Sequence, residues 1–227
     1  MSRPLNETTL GIIHASSLTI KAMQPFLEQY LSGAAIMHLC DDTIQRDNIK
    51  AGVGVIPKVN YFKFAQYAHN LEEAGVDMIL LACSTFNFAA ELARPMINIP
   101  IMQIDRTMME LAVGQGRRVG MLATLSTTVP SSERLLRIIA GESKREVEIT
   151  TVLRPEAFEA ILKGDTATHN TILLEEIEQL SPKVDSIVMA QLSMSALAPH
   201  IKNPRVPVYD SGSTTFPRLR EMLSSLP

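Results

Sequence analysis

The side chains best able to do chemistry stand in two stretches about a hundred residues apart. In "LLACSTFN", ending at Asn87, an apolar run closes on Cys83 and is followed by Ser84, Thr85 and Asn87. A thiol in that setting is a candidate acid, base or nucleophile, since its thiolate is the reactive form. In "VMAQLSM" the same pattern recurs with Gln191 where the cysteine would be, 108 residues after Cys83. A neutral amide donates and accepts hydrogen bonds but does not take up or release a proton near pH 7. One position can therefore move a proton, while the other can only hold a partner. Further hydroxyls and a histidine follow two other apolar runs: His14, Ser16 and Ser17 after "TLGI", and Thr124, Ser126, Thr127 and Thr128 after "RVGML". Ser193 and Ser195 complete the set.

The elements that must position these groups alternate in type. Short β-rich runs begin near Thr9, Ala34, Val76, Ile99, Arg118, Val147, Val184 and Val206. Several are continuously apolar, as parallel strands covered on both faces are. Between them lie helical stretches such as "NYFKFAQYAHNLEEAG", with Gly75 as a C-cap, and "THNTILLEEIEQLSP", stopped by Pro182. The expected class is α/β with mainly parallel sheets flanked by helices. Three markers repeat in one order at nearly one offset. They are Gly11 and Gly120, 109 apart, Asp77 and Asp185, 108 apart, and Pro100 and Pro207, 107 apart. The chain thus reads as two pseudo-symmetric lobes, residues 1–104 with 208–227 and residues 105–207. Ligands of open parallel sheets bind beyond the carboxyl ends of the strands, which places the site in the cleft between the lobes. Asp77 and Asp185 precede strands at the opposite end and read as turn or cap residues.

The candidate set is rich in hydroxyls, amides and helix-start N–H groups and holds no Lys or Arg. It suits a small carboxylate better than a polyphosphate. The cluster "GQGRR" precedes a strand instead of following one, so it fails the dinucleotide pattern. No cofactor is expected. The five histidines show no metal-ligand spacing, so no metal is expected either. Apart from His14, which ends a strand at the cleft, they read as surface or cap residues. A net charge of −3 carries no footprint for nucleic acid, and neither an export signal nor a membrane span is evident. Two cysteines are too few for a disulfide framework, and a cytoplasmic protein is expected. Cys40, beside Asp41 and Asp42, reads as structural. Cys83 is expected to lean toward thiolate because a helix starting near Ser84 would aim its N-terminus at the sulfur.

"LLACSTFN" resembles the first cysteine motif of the aspartate/glutamate racemase superfamily. "VGMLATLSTT" resembles the threonine-containing turn of its second lobe, and the duplication matches as well. The superfamily includes cofactor-independent aspartate, glutamate and hydantoin racemases, maleate isomerases and arylmalonate decarboxylases. The resemblance implies proton transfer at the α-carbon of a small carboxylate or amino acid, with Cys83 as base or nucleophile. It also implies a second thiol on the opposite face, where this chain has Gln191. A one-cysteine decarboxylase, a cis–trans isomerase and a non-catalytic carboxylate-binding protein remain as alternatives, as does a thiol hydrolase using His14. A homodimer is expected on general grounds, and the C-terminal helix is expected to pack back on lobe one.

Overall fold

The computed structural model of the protein describes residues 3–226. The first half runs β1 (Thr9–His14), α1 (Leu18–Tyr30), β2 (Ala35–Cys40), α2 (Asp42–Ala51), α3 (Lys58–Glu73), β3 (Met78–Leu81), α4 (Phe88–Ala93) and β4 (Ile101–Gln103). The second runs α5 (Arg106–Gln115), β5 (Arg118–Ala123), α6 (Thr128–Glu142), β6 (Glu148–Leu153), α7 (Pro155–Leu162), α8 (Thr166–Leu180), β7 (Ser186–Met189), β8 (Val208–Asp210) and α9 (Ser211–Ser225). All eight expected strands form. They make two four-stranded sheets of equivalent order, β2-β1-β3-β4 and β6-β5-β7-β8, with every ladder parallel.

The local signals act as their chemistry requires. Every residue of the central strands β3 and β7 is buried, because helices cover both faces of each sheet, whereas the edge strand β2 is largely open. At the end of α3, Gly75 takes φ of +80°, which an L side chain rarely adopts. That turn lets Gly75 N–H donate to the Glu72 carbonyl at 2.9 Å and Val76 N–H to the Leu71 carbonyl at 3.2 Å. Pro182 lies in the 3-10 turn that follows α8.

The repeat is physical as well as sequential. A Cβ on Gly11 would stand 3.0 Å from the Leu71 side chain, and one on Gly120 would stand 2.6 Å from that of Leu180. In each lobe the crossover helix therefore sits directly on a strand glycine. Asp77 accepts from Thr9 N–H at 2.7 Å, and Asp185 accepts from Arg118 N–H at 2.8 Å. Each aspartate pins the start of its lobe's first strand, far from the cleft.

The helix after each sheet changes lobes. Met108, Met109 and Ala112 of α5 join the core with Val119 and Met121 of β5. Phe216, Leu219 and Leu223 of α9 join the core with Leu10 and Ile12 of β1, so the C-terminal helix packs on lobe one as expected. The boundary expected at residue 208 needs correction, however. β8 pairs with β7, Val208 opposite Ile187, so the second sheet runs to Asp210. The last strand completes its own sheet, and only the helix after it crosses over.

Candidate active site

The carboxyl ends of the two sheets enclose a cavity of about 160 Å³. Seven of the residues singled out in the sequence line it: Ser16, Cys83, Ser84, Thr85, Thr128, Gln191 and Ser193. Thr85 and Thr128 bring the lobes together, their hydroxyl oxygens 3.3 Å apart.

Gln191 follows β7 at the start of a 3-10 segment, Leu192–His200, and is 7% exposed. Its Oε1 accepts three hydrogen bonds: from Thr124 N–H at 2.7 Å, from Thr124 Oγ1 at 2.9 Å and from Leu125 N–H at 3.2 Å. Two backbone donors define which end of the amide is oxygen. The Nε2 group has no partner among the described residues, so it is the donor left for the cavity that Gln191 lines. Thr124 serves the site through this contact.

Cys83 follows β3 and is 9% exposed. Its thiol is pushed up to about 12, first by burial and also by the nearby negative charge of Asp105. The backbone N–H groups of Thr85 and Phe86 act the other way, but burial outweighs them. The expected lean toward thiolate is therefore corrected. Only a three-residue 3-10 turn, Ser84–Phe86, begins at the sulfur, followed by the six-residue α4, which is too little aligned backbone to offset the loss of water. At neutral pH the group is a protonated thiol.

Asp105 was not legible as a site residue, since an aspartate before a helix reads as a cap. Its side chain makes no capping bond. It lies fully buried, accepting from Ser211 Oγ at 2.7 Å and from Asn87 Nδ2 at 3.0 Å. Burial raises its carboxyl above the usual range, opposed by hydrogen bonds from Asn87, Ser211 and Ser84. Asn87 thus supports the floor beneath Cys83 instead of lining the cavity.

Other expected residues turn elsewhere. The His14 ring points to the sheet edge, with Nδ1 2.6 Å from Thr19 Oγ1 and Nε2 2.9 Å from His38 Nδ1. The Thr19 hydroxyl donates to the Ser16 carbonyl, so His14 Nδ1 donates to Thr19 and His14 Nε2 accepts from His38. That makes His14 neutral, and burial followed by the charge of His38 lowers its pKa to about 4. The hydrolase alternative loses its base. Ser17 N–H donates to Asp42, at 2.8 Å. Ser126 is exposed, and Thr127 lines a separate surface pocket with Arg134, which stacks 3.2 Å over Phe88. His169, read as a surface or cap residue, is buried in the first turn of α8. Cys40 is exposed, with its thiol raised by a partial loss of water and by the charges of Asp42 and Asp41.

Gln45 of α2 and Phe158 of α7 also line the cavity, and neither was anticipated. They are 113 residues apart, the offset that separates the edge strands β2 and β6. Each stands five residues past its edge strand, so the second offset was the available signal. Among the described residues no cluster of metal-ligating side chains occurs, and no helix is long and apolar enough to cross a membrane.

Comparison with known proteins agrees with this architecture. The family model for Asp/Glu/hydantoin racemase matches residues 57–218. No curated protein matches by sequence. Among solved structures, an aspartate racemase homologue from Pyrococcus horikoshii superposes with a TM-score of 0.69 at 18% identity, covering 96% of this chain and 100% of that one. An allantoin racemase from Klebsiella pneumoniae gives 0.68 at 18% identity, with coverages of 95% and 87%. A glutamate racemase from Francisella tularensis, in complex with D-glutamate, gives 0.67 at 17% identity, with coverages of 96% and 82%. At these identities the solved structures speak to the fold, two parallel sheets in two lobes, and the family match speaks to descent. The chain belongs to the Asp/Glu/hydantoin racemase family, whose membership supports an isomerase-type, racemase-like enzyme.

Proposed function

We propose that the cleft moves a proton at the α-carbon of a small carboxylate, on one face only, with Cys83 as the proton-moving group. The observation that carries this reading is the anchoring of Gln191. Its oxygen is held by three donors, and an amide neither accepts nor yields a proton at neutral pH. Gln191 therefore holds the substrate through Nε2 while Cys83 works from the other lobe. Asp105, behind the thiol, favours the protonated form. Cys83 therefore first gives its proton to solvent, takes the α-proton as thiolate, and returns that proton or one from solvent to the same face.

With one proton-moving group, a net reaction requires the proton to return to a different carbon, or bond geometry to change while the thiol is engaged. Both are isomerisations. The high thiol pKa favours a second reading, decarboxylation, in which Cys83 S–H protonates the carbanion left by departing carbon dioxide.

The test is incubation in heavy water with saturated and α,β-unsaturated small acids, followed by NMR and chiral analysis. Deuterium should enter the α-position with configuration retained, or accompany a shifted double bond, and Cys83→Ser should lose both. Carbon dioxide release would select the second reading. Efficient equilibration of enantiomers would sink the one-face mechanism, and bound acids that never exchange would mark a carboxylate-binding protein without turnover.

A further inference from the structure

We propose that the Gln191 side-chain carbonyl is a built-in occupant of a carboxylate-oxygen site in lobe two, restricting the substrate to a small acid with one carboxylate and no other charge. This rests on the cleft being a carboxylate site, as proposed above, and adds which carboxylates it admits.

Three donors converging at the end of a parallel sheet make a site for an anionic oxygen. In lobe two those donors, Thr124 N–H, Thr124 Oγ1 and Leu125 N–H, already hold Gln191 Oε1, at 2.7, 2.9 and 3.2 Å. A ligand oxygen would have to displace all three bonds.

The repeat supplies the comparison within the same chain. The offset of 109 relates Thr124 to Ala15 and Leu125 to Ser16, and that of 108 relates Gln191 to Cys83. Neither Ala15 N–H nor Ser16 N–H has a partner among the described residues. The Cys83 side chain ends two atoms short of where a glutamine carbonyl oxygen would reach, and Ser16 lines the cavity. Of the two related oxygen sites, lobe one's is open and lobe two's is filled from within.

The rest of the lining agrees. It contains no Lys, Arg, Asp, Glu or His among the described residues, while Leu18, Ala22, Ile104, Phe158 and Leu192 give it an apolar wall. A second carboxylate or an ammonium group would enter without a counter-charge, at the cost of its hydration. A cavity of about 160 Å³ admits a short acid with an uncharged α-substituent. Aspartate and glutamate have the wrong charge on this argument, and so does a geminal diacid. The chemistry that supplies such a substrate leaves a single carboxyl group on a small carbon skeleton.

Calorimetric titration with 2-methylbutanoate and its diacid counterpart methylsuccinate tests this. Wild type should bind the monoacid more tightly by on the order of tenfold or more. Gln191→Gly should erase or reverse the preference by freeing the three donors. Gln191→Glu keeps an acceptor for those donors, guards against a folding failure, and should weaken the monoacid because it removes the amide donor and adds a charge. A wild type that prefers the diacid, one that binds neither acid, or a Gln191→Gly variant with an unchanged ratio would overturn the proposal. Deuterium exchange in the same samples separates the two ideas. A monoacid preference without exchange leaves the selectivity standing and removes the proton-transfer reading. Exchange with a diacid preference does the reverse.

Discussion

The two lobes share a scaffold and differ where their strands end. Far from the cleft the paired positions do the same physical work. Gly11 and Gly120 receive a crossover leucine, and Asp77 and Asp185 tie down the start of a strand. At the cleft the pairs part company. Cys83 is a buried thiol over a buried carboxylate, and Gln191 is an amide whose oxygen is held by Thr124 and Leu125. Packing constrains both copies of a duplicated fold equally, whereas the side chains that end the strands at the cleft are free to differ. On the proposed reading, only one side of this cleft carries a group able to move a proton.

Making the lobes alike at that point should give the largest effect. Gln191→Cys would place a second thiol opposite the first, and inversion of an α-centre should appear, by on the order of 10²–10⁴-fold over wild type. Chiral chromatography reads it. Racemisation unchanged from wild type would mean that the two positions do not face one substrate carbon.

The two cysteines sharpen the comparison next. Cys83 is buried with a thiol pKa of about 12, and Cys40 is exposed. Iodoacetamide at pH 7 should modify Cys40 faster by about tenfold or more, because the thiolate is the species that reacts. Peptide mass mapping decides it, and faster labelling of Cys83 would show that burial does not dominate its thiol.

The scaffold pair should respond unequally but in the same sense. Ala at Gly120 would meet the Leu180 side chain at 2.6 Å, against 3.0 Å from Leu71 at Gly11. Gly120→Ala should cost about 1–3 kcal/mol, the usual range for overpacking, and Gly11→Ala about 1 kcal/mol or less. Urea denaturation at matched conditions measures both.

A further effect concerns the His14–His38 contact, which belongs to lobe one alone. The folded pKa of His14 is about 4, below the ordinary 6.5. Between those values the unfolded chain binds the extra proton, so stability falls as pH drops from about 6.5 toward 4 and levels off below. His14→Gln should flatten that limb in melting curves taken across this window. An unchanged limb would assign the acid sensitivity to other groups.

The chain's order of strands, their parallel pairing and the duplication followed from local signals. Apolar runs, the Gly75 cap and matched Gly, Asp and Pro markers each depend on a few neighbouring residues. The equivalent places of Cys83 and Gln191, after β3 and β7, followed from the same offset. Side-chain direction and protonation did not, because they depend on groups brought from distant parts of the chain. His14 reads as a cleft residue until β2 places His38 beside it, and Asp105 reads as a cap until Asn87 and Ser211 enclose it. Gln45 and Phe158 reach the cavity only because edge strands carry their helices over it. For Cys83 the sequence determined the residue and its place at a strand end. Tertiary burial decided that it is held as a thiol, because loss of water outweighs two backbone donors.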